Sequence, residues 1–171
     1  MAYRTKTYVA GDWTGDKNAI DQLYKWKNGN GWGLTFVNAH DLTSARDTSL
    51  NCSIKRSLKT RLDVSKRFVL IVGSKTSTVT SGSCKFCSSY NSYASYCARG
   101  YSIDFRSYIK YECDVAKEDI SKIVVLYNST RVDKTLCPEA LRYVGTHVPM
   151  IYSENGKYYW DYYGVKKALE Q

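Results

Sequence analysis

Glu112 is a carboxylate set into an apolar helix stripe: Tyr108, Glu112 and Val115 follow the i, i+4, i+7 spacing, with Ile109 and Ala116 alongside. A charge held against packed apolar surface must be paired, neutralised or kept for chemistry, which makes Glu112 the first candidate for function. The competing reading is a glutamate at the rim of the stripe that reaches past Tyr108 to solvent. A second group is built of thiols. Cys84-x-x-Cys87, with Cys97 further along the same loop, has spacing suited to a structural zinc ion, Cys113 or a nonlocal residue being the fourth ligand. A second C-x-x-C is missing, so a redox pair and plain free thiols stay open beside zinc. Cys52, Cys113 and Cys137 lie in or beside helices and read as packing residues.

Other chemistries lack their residues. The chain contains no H-E-x-x-H, no G-x-S-x-G and no G-x-G-x-x-G, and Gly73-Ser74-Lys75-Thr76 lacks the adjacent Gly-Lys of a phosphate-binding loop. Metalloprotease, serine hydrolase and nucleotide triphosphatase readings therefore find no support. The two histidines are His40, at a strand end and either a substrate contact or a loop histidine, and His147, just ahead of a strand and read as structural.

The elements that must position these residues alternate between strand and helix. Residues 6–10 read as a first strand ending at Gly11 and Asp12, and residues 19–27 as a helix with Ile20, Leu23 and Tyr24 inward. Residues 34–37 form an expected second strand, and Asp47 or Thr48 is placed to cap a helix carrying Leu50, Ile54, Leu58 and Leu62. The apolar run 68–72 reads as a central parallel strand, closed by Gly73 and Ser74. The Glu112 helix is expected over 104–117 with Asp104 as its cap. A strand over 123–127 comes next, then a short helix opened by Pro138, a less apolar strand over 148–152, and a last helix around 160–169 entered through Asn155 and Gly156. Such alternation predicts an α/β fold: a three-layer, five-stranded parallel sheet of flavodoxin-like order 2-1-3-4-5. Ligands bind such sheets at the carboxyl ends of the strands, here Gly11-Asp12, Asn38 to Asp41, Gly73-Ser74 and Asn128.

With 171 residues the chain suits a single domain, residues 1–171, with a Cys-, Ser- and Tyr-rich insertion at about 76–102. No run approaches a membrane span, and the start passes directly into strand-like alternation, so a cytoplasmic protein is expected. The balance of 25 basic to 16 acidic residues gives a net charge of +9 and favours anionic partners. The basic residues, Lys55 and Arg56 among them, are dispersed as on solvated helix faces, which disfavours a nucleic-acid track.

In order and content these elements resemble the Toll/interleukin-receptor (TIR) fold, specifically the TIR-like proteins of bacterial Thoeris-type antiphage defence. The matching stretches are Lys6-Thr7-Tyr8-Val9 with Asp12, residues 36–42 around His40 and Asp41, residues 53–62, and residues 65–76 ending in Val72-Gly73-Ser74-Lys75-Thr76. Tyr108-Ile109-Lys110-Tyr111-Glu112 stands where TIR enzymes carry an aromatic residue four before a catalytic glutamate, usually Trp-x-x-x-Glu. The likeness covers residues 3–144 and departs from the pattern in Tyr108 and in the cysteine-rich insertion.

The resemblance implies cleavage of the nicotinamide–ribose bond of NAD, often with cyclisation of ADP-ribose into a signalling nucleotide that activates a separate effector protein. Glu112 would be catalytic; Asp12, His40, Asp41, Gly73, Ser74 and Tyr108 would bind substrate. No cofactor or membrane is required, zinc would be structural, and self-association is compatible. Two other classes compete: a non-catalytic TIR-type interaction module and a basic nucleic-acid-binding protein. A scaffold has no need of an acid on the apolar stripe, and a nucleic-acid binder needs clustered Arg and Lys interleaved with aromatics.

Overall fold

A computed structural model describes residues 4–29 and 50–171. Among these residues four strands form a parallel sheet: β1 (Lys6–Ala10), β2 (Ser65–Val72), β5 (Lys122–Tyr127) and β6 (Thr146–Pro149), in spatial order β1-β2-β5-β6. Tyr8 pairs with Phe68, Phe68 with Ile123, and Val125 with His147. Residues 68–72 and 123–127 thus lie in interior strands, as their apolar runs predict. The expected second strand at 34–37, and with it the fifth place in the sheet order, falls outside the described residues.

Alternation along the strands sends side chains to two separate cores. Tyr8, Phe68, Leu70, Val72 and Val125 pack with Leu58 and Leu62 of α2 (Asn51–Asp63) and with Ile109, Cys113 and Ala116 of α3 (Tyr108–Asp119). Val9, Val69, Ile71, Val124 and Leu126 pack with Ile20, Leu23 and Trp26 of α1 (Lys17–Asn28) and Val165 and Leu169 of α4 (Tyr162–Glu170). This is the three-layer arrangement that a parallel sheet demands, because crossover helices must cover both of its faces.

Several local expectations need correction. Helix α2 starts at Asn51 with Leu50 in the capping position, and the proposed caps Asp47 and Thr48 lie outside the described residues. Helix α3 starts four residues later than expected: Ser107, not Asp104, caps it by accepting a hydrogen bond from Lys110 N. The fifth-strand expectation at 148–152 merges two elements, β6 and the start of a hairpin, β7 (Ile151–Glu154) with β8 (Lys157–Trp160). Asn155 and Gly156 both take positive φ (50° and 74°), forming the tight turn that matches strand twist, so they close a hairpin instead of opening a helix. The last helix therefore waits for Asp161, whose side chain accepts from Gly164 N. Pro138 leads into a single 3-10 turn, Glu139–Leu141. The insertion holds two such turns, Thr76–Thr78 and Cys84–Phe86, and a two-residue ladder of β3 (Tyr90–Asn91) with β4 (Tyr96–Cys97). No helix among the described residues is long and apolar enough to cross a membrane.

His147 serves the fold, as its sequence position suggests. Its Nε2 contacts the Val144 carbonyl at 3.0 Å, which can only accept, so Nδ1 accepts from the Tyr127 hydroxyl at 2.9 Å. Burial pushes the imidazole pKa below its ordinary 6.5, the Val144 carbonyl opposing. The unfolded chain therefore takes up this proton at higher pH than the folded one, and the histidine's contribution, complete above pH 6.5, is lost on acidification. In urea titrations the unfolding midpoint is expected to fall as pH drops through about 6. His147→Gln should flatten that limb of the profile, and an unchanged pH dependence in the variant would refute the assignment.

Candidate active site

Helix α3 turns Ile109, Glu112, Cys113, Val115 and Ala116 inward, so the acid on the stripe is a buried residue and not a rim glutamate: Glu112 is 4% exposed. The hydroxyl of Tyr8, a fully buried β1 residue stacked on Phe68 at 5.6 Å, donates a hydrogen bond to Glu112 Oε1. Desolvation, and then the neighbouring Glu112 charge, push the Tyr8 phenol well above its ordinary pKa, while the charge of Arg61 opposes them. Tyr8 consequently stays protonated and remains a donor to the carboxylate. Sequence reasoning did not assign it a role; the signal was an aromatic with a polar end in a strand buried on both faces, where the hydroxyl must find a partner.

Tyr108 lies one helix turn before Glu112 with its ring against Gly82, and its hydroxyl donates to Asn51 Oδ1 at 2.9 Å. Asn51 Nδ2 in turn donates to the Ser83 carbonyl at 3.0 Å, and burial raises the Tyr108 pKa to about 12. The aromatic four before the acid thus ties α3 to α2 and to the insertion. Next to it, Lys55 is 4% exposed, contrary to its expected place on a solvated face. Its Nζ donates to the carbonyls of Asp104 and Arg106 at 3.1 and 2.7 Å and lies 3.4 Å from Asp104 Oδ2. Desolvation lowers the Lys55 pKa, with Asp104 opposing. Asp104, the expected helix cap, instead accepts from the backbone and guanidinium of Arg106, which also reaches Asp114 at 3.0 Å.

The carboxyl ends of β1, β2 and β5 converge on another acid, Asp16. It is buried ahead of α1 and accepts from Asn128 Nδ2 at 2.9 Å and from Thr76 Oγ1 at 3.4 Å, and Thr76 Oγ1 accepts from Gly73 N at 2.8 Å. Burial raises the Asp16 pKa, and the negative charge of Asp12 adds to the rise. The structure therefore groups Asp12 and Gly73 around Asp16, and Glu112 with Tyr8. Ser74 is exposed, while Thr76, two residues on, points inward. His40 and Asp41 lie outside the described residues. Sequence reading marked these strand ends but passed over Asp16, because an acid just before a helix normally reads as a cap. Gly73 is required by close approach: a Cβ there would stand 1.8 Å from Asp16 Oδ1.

Among the described residues no group of three or more His, Cys, Asp or Glu stands in a geometry that holds a metal ion. Cys113 packs in the α2–α3 core, where burial pushes its thiol well above the ordinary range.

Comparison with known families finds a match over residues 7–80 to the model of the Thoeris protein ThsB, TIR-like domain. The match supports a Thoeris-type TIR-like domain. The match takes in β1, Asp12, Asp16, α2, β2 and Thr76, and ends before α3 and Glu112. Comparison with curated proteins returned no match.

The Asp16 cluster yields a test in its own right. Gly73→Ala should lower the unfolding free energy by about 1–3 kcal/mol, the usual consequence of forcing a methyl into occupied space. Adding Asp16→Ala removes the obstructing carboxylate, so the double variant should be less destabilised than the sum of the two single ones. Strict additivity in urea denaturation would show that the two positions do not meet.

Proposed function

We propose that this Thoeris-type TIR-like domain consumes NAD, cleaving its nicotinamide–ribose bond at Glu112 and releasing ADP-ribose, hydrolysed or cyclised, as a nucleotide signal to an effector protein. The family match supports antiphage defence signalling as the setting. The observation that carries the enzymatic step is Glu112 itself: a carboxylate in an apolar helix face, held by a neutral phenol, one turn after an aromatic residue.

The chemistry suits such a group. Nicotinamide leaves neutral from a cationic pyridinium, taking the bonding electron pair, and the ribose gathers oxocarbenium character that a nearby carboxylate stabilises by charge. Attack by water at the anomeric carbon then releases ADP-ribose and a proton; attack by a ring nitrogen of the adenine closes a cyclic product instead. Low-dielectric surroundings strengthen the carboxylate's effect, because few waters compete for the developing cation. Tyr8 acts as a positioning residue, keeping Glu112 in one orientation. Asp12, Gly73 and Ser74 at the strand ends, His40 and Asp41 on the 38–41 stretch, and Tyr108 are the proposed substrate contacts. Among them Ser74 has the exposure a phosphate contact needs, and Tyr108 the ring for stacking.

One observation favours a second reading, a non-catalytic interaction module. The Tyr8–Glu112 contact satisfies both groups inside the core, as a purely structural polar pair would. Incubation of the protein with NAD, with products identified by mass spectrometry, separates the two. Glu112→Gln keeps the shape and removes the charge. It is expected to lower NAD cleavage by about a hundredfold or more, roughly 2.7 kcal/mol of transition-state stabilisation, with circular dichroism unchanged. Undiminished cleavage in Glu112→Gln would remove the catalytic assignment and leave the interaction module.

A further inference from the structure

Four of the six cysteines border one cavity. Cys52 at the second position of α2, Cys84 and Cys87 at either end of the 3-10 turn, and Cys97 at the end of β4 line a single cavity of about 10 Å³. That volume holds one water-sized occupant. The remaining lining, Leu50 and Ile103 among it, is largely apolar, which suits a soft, thiol-binding cation better than a water that needs several polar partners. All four are free thiols, and three of them are only partly buried.

The backbone around them is already wound for ligation. Cys87 N donates to the Cys84 carbonyl at 3.0 Å and Tyr90 N to the Cys87 carbonyl at 3.1 Å, so the chain curls tightly through the C-x-x-C segment. Asp104 N donates to Cys84 Sγ at 3.4 Å. Cys52 sits in the first turn of α2, the helix that also carries Lys55.

We propose that Cys52, Cys84, Cys87 and Cys97 form a tetrathiolate site for a structural zinc ion. Zinc displaces four thiol protons to solvent and forms four Zn–S bonds, leaving a centre of net charge −2 that the Asp104 N–H, Lys55 and the α2 N-terminus offset. The four cysteines line the cavity but do not stand as a metal-holding group without the ion, so binding has to draw them together. Of the two fourth ligands the sequence offers, Cys113 or a nonlocal residue, the proposal takes the nonlocal Cys52, because Cys113 is committed to the core. The ion would fasten the insertion to α2 beside the Asn51–Tyr108 bridge and so fix the start of the helix that carries Glu112.

Elemental analysis of the full chain, purified under reducing conditions without chelator, is expected to find about one zinc per chain, released in step with thiol modification by a mercurial reagent. Cys52→Ser and Cys87→Ser should each reduce the bound zinc to less than about a tenth, whereas Cys113→Ala should retain it. The proposal is overturned by reduced wild-type protein that carries no zinc and takes none from added zinc salt, or by full zinc retention in Cys52→Ser. Disulfide-linked peptides joining these cysteines in acid-quenched, alkylated protein, without zinc, would overturn it too and point to a redox pair.

Discussion

Residues 68–72 of β2 are withdrawn from water on both faces, and the rest of the domain is built around that constraint. A strand in this position must be hydrogen-bonded along both edges and covered above and below, which here requires β1 and β5 beside it and two helices on each side. Polar chemistry is thereby expelled to the carboxyl ends of the strands, where Asp16, Thr76 and Asn128 gather. Glu112 and Tyr8 depart from this pattern, a hydrogen-bonded pair kept inside the α2–α3 core. The hydrogen bond couples the positions of the two groups.

The insertion is not a free appendage. Asn51, Lys55 and Tyr108 bind its ends and the segment leading into α3 through backbone carbonyls and side chains, and Lys55 is a buried cation held by two carbonyls and Asp104. A lysine so placed is stabilising only while those acceptors stay in position, and the same contacts therefore hold the chain at the entrance to α3. The orientation of Glu112 thus depends on residues of β1, α2 and the insertion together, although they are distant in sequence.

How much was legible beforehand varies with the kind of signal. Continuous apolar runs identified β2 and β5, and helical spacing set Glu112 on an apolar stripe, because burial repeats with the period of the element. Boundaries were less accessible. Ser107 and Asp104 are both sound capping residues, and only the contact of Asp104 with Arg106 and Lys55 removes it from that role. Asn155-Gly156 was a hairpin signal in plain view, but the aromatic residues after it, Tyr158, Tyr159 and Trp160, fit a helix face as readily as a strand. Lys55 was misplaced because a lone lysine on an amphipathic helix is usually solvated.

The sequence by itself determined the α/β layering and the interior strands, since these rest on local composition and periodicity, and it set Glu112 on an apolar stripe without deciding its burial. Tertiary structure alone decided the partners: Tyr8 for Glu112, Asp16 for Gly73 and Thr76, and Cys52 beside the loop cysteines. Partnership across a fold depends on how strands register and helices dock, and these are set by the summed packing of the whole domain, which no local window of residues contains.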